Sequence, residues 1–256
     1  MKLFLQIYYS LLFCVLYKQA YRFINFIQPL EPDYIFFAKP LSFFKLPVEI
    51  HSVIFLLALF FCLLSVFSHG RTLRVLTSLF VLVLFSIMYS YGKISHSEHA
   101  FILSSALVCF FSESKSLNSS WNFFVLRLIQ GLVLSHYFIS GLWKLREMIS
   151  SRFEFSLQEI AMESIAHSLA EQNIHFILKF LLEEPWLLSF GYFCVLVFQL
   201  TALTPIFLNR FFKLYGALAV LFHLSTGISV ITYFASTVLG VLFFLVIAES
   251  MRKYEI

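Results

Sequence analysis

Charged residues are scarce in this sequence. They make up 12% of its 256 residues, whereas about 25% is typical of soluble globular domains. Hydrophobic residues make up 60% and include 34 phenylalanines. So little charge cannot keep this much apolar surface from aggregating in water. The composition therefore excludes a water-soluble domain and predicts an integral membrane protein in contact with membrane lipids.

Cysteines and clusters of basic residues are also few. The four cysteines lie apart inside apolar stretches and form no C-x-x-C pair, so we expect small packing residues and neither a disulfide framework nor a zinc site. Basic residues form no run, so no nucleic acid partner is expected. The cysteines are Cys14, Cys62, Cys109 and Cys194.

Long apolar runs recur along the whole chain. A membrane-spanning helix needs about 20 apolar residues, and eight stretches approach that length. We therefore predict an all-α fold, a polytopic membrane helical bundle of about eight transmembrane helices that forms a single membrane domain over 1–256. The predicted spans are 3–26, 50–68, 75–92, 99–112, 121–144, 186–208, 211–229 and 231–249.

Two connections between these spans are long. Residues 27–49 are rich in proline and aromatic side chains and have no helical period, which predicts an ordered loop at the membrane interface. In 153–180, apolar residues recur every three or four positions, while Glu159, Glu163 and His167 line another face. This pattern predicts an amphipathic helix that lies on the membrane rather than across it.

The short connections indicate an orientation. Cytoplasmic loops of membrane proteins are enriched in Lys and Arg, and an N-terminus on the cytoplasmic side puts eight cations on that side. We therefore predict that both termini are cytoplasmic. The eight cations are Lys2, Arg71, Arg74, Lys115, Arg210, Lys213, Arg252 and Lys253.

A polar stripe occurs in the fifth predicted span. His136, Ser140 and Lys144 are four residues apart and therefore share one helix face. Gly131 and Gly141 leave room for another helix or a ligand to approach the backbone. An ionisable group at membrane depth costs at least a few kcal/mol, so each one needs a reason. For Lys144 two readings stay open, a functional site and a simple anchor at the membrane interface.

Other ionisable groups occur in or beside the apolar runs. His96 and His99 have a spacing that could present two imidazoles to one metal, but further ligands at suitable spacing are missing, so no metal is predicted. His223 precedes several hydroxyl residues, which predicts a polar pocket, although a lone histidine in a span more often bonds a neighbouring helix. Arg127 lies near the cytoplasmic boundary, where snorkelling would explain it.

The predicted topology places three of these ionisable residues toward the same side of the membrane. With a cytoplasmic N-terminus, His99 begins a span at the outer face and Lys144 ends one there. His223 lies about 18 Å along the seventh span, at ~1.5 Å per residue, and hence in the outer half of the membrane. We therefore predict that the three residues border one cavity on the outer (periplasmic or lumenal) side.

Four stretches resemble a known family, and they occur in its order. "YFISGLWKL" (Tyr137–Leu145) resembles the Tyr-Phe-Ile-Ala-Gly-x-x-Lys-Leu signature of the vitamin K-dependent gamma-glutamyl carboxylase and its bacterial relatives, the horizontally transferred transmembrane domain proteins. "SEHAFILSSAL" and "LFHLSTGISVITYF" are similar to two helices of that family, with His99 and His223 in the places of its histidines. "FQLTALTPIFLNRFFKLYG" resembles its proline-terminated helix. The resemblance covers about 45–248.

The resemblance implies an enzyme with Lys144 as the base and with His99 and His223 assisting. The substrate would be a reduced quinone of the vitamin K type or a similar lipid-soluble small molecule, oxidised to its epoxide by O2, with CO2 consumed if the carboxylation also occurs. A solvated lysine, with a pKa of about 10.4, is protonated at neutral pH. Such a base therefore has to be held neutral in a low-dielectric pocket. Five further residues would line the binding pocket: His136, Ser140, Gly141, Ser225 and Thr226.

Departures from the family limit these expectations. Thr201 stands where the family often has a carboxylate, and the family's Asp-x-Trp-x-x-Gly element is missing after Lys144. Only "SMRKYEI" follows the last predicted span, so we expect no soluble C-terminal domain and no docking of a protein substrate. The alternative is a non-catalytic membrane module for transport, assembly or partner binding, in which Lys144 would be exposed to water.

Overall fold

The computed structural model describes residues 1–26, 49–68, 70–90, 96–113, 115–150, 184–227 and 238–254. These ranges contain helices and turns and no strand. Helix 238–254 contains one π-helical stretch, Leu242–Ile247, before its final α-helical part. The α-helices are α1 (Lys2–Phe26), α2 (Glu49–Phe67), α3 (Arg71–Ser90), α4 (His96–Val108), α5 (Ser120–Ser150), α6 (Pro185–Leu200), α7 (Thr204–Leu208), α8 (Phe212–Gly227) and α9 (Ala248–Tyr254).

Four of these helices are long and apolar enough to cross a membrane. Their apolar spans are Lys2–Tyr21, Ile50–Phe67, Arg71–Met88 and Ser120–Ser150. The all-helical architecture is thereby confirmed, and the four helices indicate a membrane-embedded protein. A count of eight spans stays a prediction.

Several helices differ in extent from the predicted spans. Helix α5 continues to Ser150, beyond the predicted end at Lys144, because Leu, Lys, Arg, Glu and Met favour helix even where hydropathy falls. The predicted span 186–208 is broken by a turn at 201–203, and the chain resumes as α7 with Pro205 in its first turn. Proline has no backbone N–H and is accommodated there.

The two long connections between the predicted spans lie almost entirely outside the described residues. The predicted interfacial loop lies outside the described residues except for Glu49, which begins α2. The predicted amphipathic segment 153–180 lies wholly outside them.

The chain forms two compact units. The first comprises Met1–Gln130 with Val246–Ile256, and the second comprises Gly131–Leu245. In the first unit, α2 packs against both α1 and α3, and α3 packs against α4. Phe4, Tyr8 and Leu12 of α1 are fully buried.

Hydrogen bonds between helices accompany the apolar packing of the first unit. The hydroxyls of Ser65 and Thr77 lie 2.8 Å apart and join α2 to α3. Ser78 donates to the carbonyl of Ser105 at 2.6 Å and joins α3 to α4. Such bonds are typical between helices in membranes, where apolar contact alone drives association weakly.

Arg127 belongs to an ion-pair cluster of the first unit. Its guanidinium donates to the carboxylate of Glu249 and to the amide oxygen of Gln130, and Arg252 donates to the other carboxylate oxygen at 3.1 Å. The side chain of Arg127 is only 12% exposed. Arg127 is therefore mostly buried and paired with a carboxylate, and the expectation that it snorkels to the membrane surface stays a prediction.

Candidate functional site

One face of α5 carries the polar side chains of the second unit. Tyr137, Ser140 and Lys144 follow one another at intervals of three and four residues, so their side chains project from the same side of the helix. Gly141 lies beside Ser140 on the surface that faces α6. This surface of α5 is the frame of the candidate site.

Helices α5 and α6 approach most closely at Gly141. A Cβ atom built on this glycine would lie 2.9 Å from the Cβ of Gln199 and 3.1 Å from the backbone N of Leu200. No side chain larger than hydrogen fits without moving the backbone of α6. Of the two alternatives that the sequence left open at Gly141, another helix or a ligand, the structure shows the approach of a helix. It brings Gln199 next to Ser140 and Lys144.

Lys144 is half-buried and bound by neutral groups. Its Nζ donates to the amide oxygen of Gln199 at 2.9 Å and to the hydroxyl of Ser140 at 3.3 Å. The amide nitrogen of Gln199 lies 3.4 Å from the same hydroxyl, which closes a three-membered network. Within the described parts of the chain, no carboxylate lies within ion-pair distance of Lys144.

A second polar pair lies on the same unit. The hydroxyl of Tyr137 and Nε2 of His223 are 2.7 Å apart, and both side chains are buried. The histidine tautomer decides which of the two donates the hydrogen bond. This contact joins α5 to α8.

Aromatic rings surround that pair. The ring centroid of Phe198 lies 5.4 Å from that of Tyr137, and the ring of Phe222 lies 5.0 Å from that of His223. Phe198 also precedes Gln199 in α6, so one helix contributes both to the aromatic surroundings and to the lysine network. The polar pair is therefore enclosed by apolar groups.

The Lys144 network and the Tyr137–His223 pair both include side chains of α5. Tyr137 and Lys144 are seven residues apart, a separation of about 10 Å along a helix axis. Ser140 lies between them on the same face.

The structure describes the side chains of only some of the remaining predicted site residues. His136 is half-buried on α5, one position from Tyr137. Ser225 and Thr226 lie in the last turn of α8, and His99 lies in the first turn of α4, but the side chains of these three fall outside the description. The predicted meeting of His99 with Lys144 and His223 therefore stays a prediction.

Sequence reasoning missed the roles of Tyr137 and Gln199. Gln199 carries a detectable signal, because an amide inside the apolar run of α6 needs a partner at membrane depth. Tyr137 carries none, since it is one of 12 tyrosines and its partner is 86 residues away.

No protein-family model, curated protein or solved structure matches this chain. Among the described residues, no group of three His, Cys, Asp or Glu side chains is arranged to hold a metal ion.

Proposed function

We propose that the chain is a membrane-embedded enzyme that oxidises a quinol, or a similar lipid-soluble small molecule, with Lys144 as its base. The observation that carries this proposal is the environment of Lys144. The half-buried amine is held by a hydroxyl and an amide oxygen. A carboxylate partner would favour the ammonium form, whereas these two neutral groups accept hydrogen bonds from either form.

The reaction would begin with a proton transfer to this amine. Nζ of Lys144 would accept the proton of a quinol hydroxyl, and the amide of Gln199 would keep Nζ in place. The overall reaction is quinol plus O2 giving quinone epoxide plus water: oxidation of the quinol to the quinone supplies two electrons, and the ring C=C bond that becomes the epoxide supplies the other two, so one oxygen atom enters the epoxide and the other leaves as water. Carboxylation of a glutamate with CO2, as in the family that the sequence resembles, is the more specific version of this proposal.

His223 and Tyr137 would complete the site. Their hydrogen bond fixes the imidazole within an aromatic surrounding, which suits contact with a quinone ring through offset stacking. His99 is proposed to assist on the strength of the sequence resemblance. His136, Ser140, Gly141, Ser225 and Thr226 would line the pocket.

The proposed topology has eight crossings with both termini in the cytoplasm. Besides the four long spans, α6 and α8 contain the shorter apolar stretches Trp186–Leu200 and Phe212–His223. Helix α4 and the helical segment 238–254 would provide the other two crossings. The enrichment of Lys and Arg in the short connections supports this orientation. The site would then face the periplasmic or lumenal side.

A non-catalytic membrane module is the second candidate. The observation that favours it is the ion pairing of Arg127 with Glu249 within the first unit, since a buried charge with such a partner needs no catalytic role to account for it. Lys144 differs from Arg127 because its described partners are uncharged.

The test is quinol turnover by the purified protein in lipid nanodiscs. Reduced vitamin K and O2 are supplied, and quinone epoxide is measured by mass spectrometry, with labelled bicarbonate and a glutamate peptide as a parallel assay of carboxylation. Lys144→Met should abolish epoxide formation, a loss of at least about 100-fold, as is typical when a general base is removed. Lys213→Met is the matched control, since Lys213 is an exposed lysine of α8, and it should leave turnover unchanged.

A second variant tests the protonation state. Gln199→Glu keeps the side-chain shape but adds a carboxylate beside Lys144, which stabilises the ammonium form. We expect it to fold and to lose turnover. Absence of epoxide from the unmodified protein, or undiminished turnover by Lys144→Met, would reject the proposal in favour of the non-catalytic module.

A further inference from the structure

An open cavity of about 380 Å³ lies in the first unit and is lined by none of the residues of the Lys144 site. It lies where three helices end or begin: α3 contributes Arg71 and Arg74, the segment after α4 contributes Phe110 and Glu113, and α5 contributes Trp121. Ends of membrane-crossing helices lie at the depth of the lipid headgroups. The cavity therefore opens at the membrane surface.

The two arginines of this cavity have different surroundings. Arg74 is 2% exposed and donates to the carbonyl of Phe111 at 2.9 Å and to the carboxylate of Glu113 at 3.1 Å. Its charge is thus balanced within the protein. Arg71 is exposed and has no hydrogen bond or ion pair with any described residue. The cavity therefore carries one positive charge that the described chain does not balance.

The position of Arg71 on its helix makes an anion favourable. Arg71 and Arg74 both lie in the first turn of α3, which holds no acidic residue. The N-terminus of a helix carries a partial positive charge and has unsatisfied N–H groups, so cations there are unfavourable and anions favourable. A bound anion would compensate the helix terminus and Arg71 together. The buried Nε of Arg74 also has no hydrogen-bond partner among the described residues.

The aromatic lining points to a lipid rather than a soluble ion. Trp121 is 48% exposed and donates from its indole nitrogen to the carbonyl of Phe110 at 2.7 Å, and Phe110 is also exposed. Tryptophan is enriched at the interface between headgroups and acyl chains. A phosphate bound by Arg71 would place its glycerol and first methylenes beside these rings.

We propose that this cavity binds the phosphate of an anionic phospholipid headgroup, with Arg71 as the principal contact. Arginine matches phosphate geometry through two parallel N–H donors, and basic pockets between membrane helices are known binding sites for anionic headgroups. The inference is independent of the function proposed for Lys144.

The test is native mass spectrometry of the full chain in detergent during titration with phosphatidylglycerol or phosphatidylcholine. Arg71→Gln should weaken the binding of phosphatidylglycerol about tenfold, the scale of one charge-assisted contact. It should not lower thermal stability, since Arg71 has no partner among the described residues and a cation at a helix N-terminus is unfavourable. Lys213→Gln removes an exposed cation elsewhere and should leave the affinity unchanged. Arg71→Lys keeps the positive charge but lacks the two parallel N–H donors. Its affinity for phosphatidylglycerol should therefore lie between that of Arg71→Gln and that of the unmodified protein.

Three other outcomes would reject the assignment of this cavity to an anionic phospholipid. Equal affinity of Arg71→Gln and the unmodified protein would show that the cavity does not hold the lipid. Because both lipids carry a phosphodiester and only phosphatidylglycerol has a net negative headgroup, equal affinity for the two would show that the site does not select an anionic lipid, and the assignment fails. If inorganic phosphate displaces phosphatidylglycerol and binds alone with the same Arg71 dependence, the site takes a free anion and the lipid assignment fails.

Discussion

At the scale of single residues, the polar contacts of the second unit join positions far apart in the chain. Lys144 and Gln199 are 55 residues apart, and Tyr137 and His223 are 86 apart. The sequence predicts that Lys144 and His223 need partners, because ionisable side chains are costly at membrane depth. It does not predict which partners they have, since helix periodicity relates only residues on the same helix.

Tyr137→Phe tests the contribution of the tyrosine–histidine pair. The change removes the hydroxyl but keeps the ring that packs on Phe198, so a buried imidazole nitrogen loses its hydrogen-bond partner. We expect a loss of about 1–3 kcal/mol in the free energy of unfolding, measured by thermal unfolding in detergent.

Tyr215→Phe is the matched control for this prediction. Tyr215 also packs on Phe198, but its hydroxyl makes no hydrogen bond to the described residues. It should change stability by less than about 0.5 kcal/mol. Equal effects of the two variants would mean that the Tyr137 hydroxyl contributes nothing specific.

At the scale of helices, the sequence predicts that a helix is present better than it predicts where that helix begins and ends. Helices α1, α2 and α3 begin and end within a few residues of prediction because their apolar runs are bounded by polar residues. Helix α5 exceeds its prediction because hydropathy marks where a helix leaves the apolar region and not where its hydrogen bonding stops. The π-helical stretch Leu242–Ile247 has no signal in an unbroken apolar run.

Gly141→Ala tests the packing of α5 on α6. The added methyl would meet the backbone of α6 at 3.1 Å, so the helices must separate and the bond between Lys144 and Gln199 must lengthen. We expect a loss of about 1–3 kcal/mol in stability, typical of overpacking, measured by chemical unfolding in detergent. If the proposed function holds, turnover should fall as well.

Gly131→Ala provides the comparison on the same helix. A methyl at this position would meet only the side-chain end of Ile206, at 3.8 Å. This is an ordinary contact, and alanine favours helix over glycine by about 1 kcal/mol. The variant should be neutral or slightly stabilised. A loss equal to that of Gly141→Ala would contradict the close approach described at Gly141.

At the scale of the whole chain, the first unit is assembled from distant parts of the sequence. Glu249 of α9 binds Arg127 and Gln130 of α5, positions about 120 residues earlier. Composition predicts the membrane class of the molecule from the shortage of charge. It does not predict this division into units, because the contacts that define them join segments with no common periodicity.

Glu249→Gln tests the joining of these segments. Removing one charge of a buried ion pair leaves the other without compensation, so we expect a loss of about 3 kcal/mol in the free energy of unfolding. Glu147→Gln, at an exposed glutamate of α5 that forms no ion pair with the described residues, should have little effect. Replacing both Arg127 and Glu249 by leucine should restore much of the loss, and a double variant as unstable as Glu249→Gln would contradict this account. Thermal unfolding in detergent measures all three.

The ion pair between Arg127 and Glu249 cannot form until late in the synthesis of the chain. A ribosome makes Arg127 well before it makes Glu249, at about 5–20 residues per second. The carboxylate that neutralises this arginine therefore does not exist while the intervening helices are being inserted. The nascent first unit therefore lacks this partner for several seconds after Arg127 has been made.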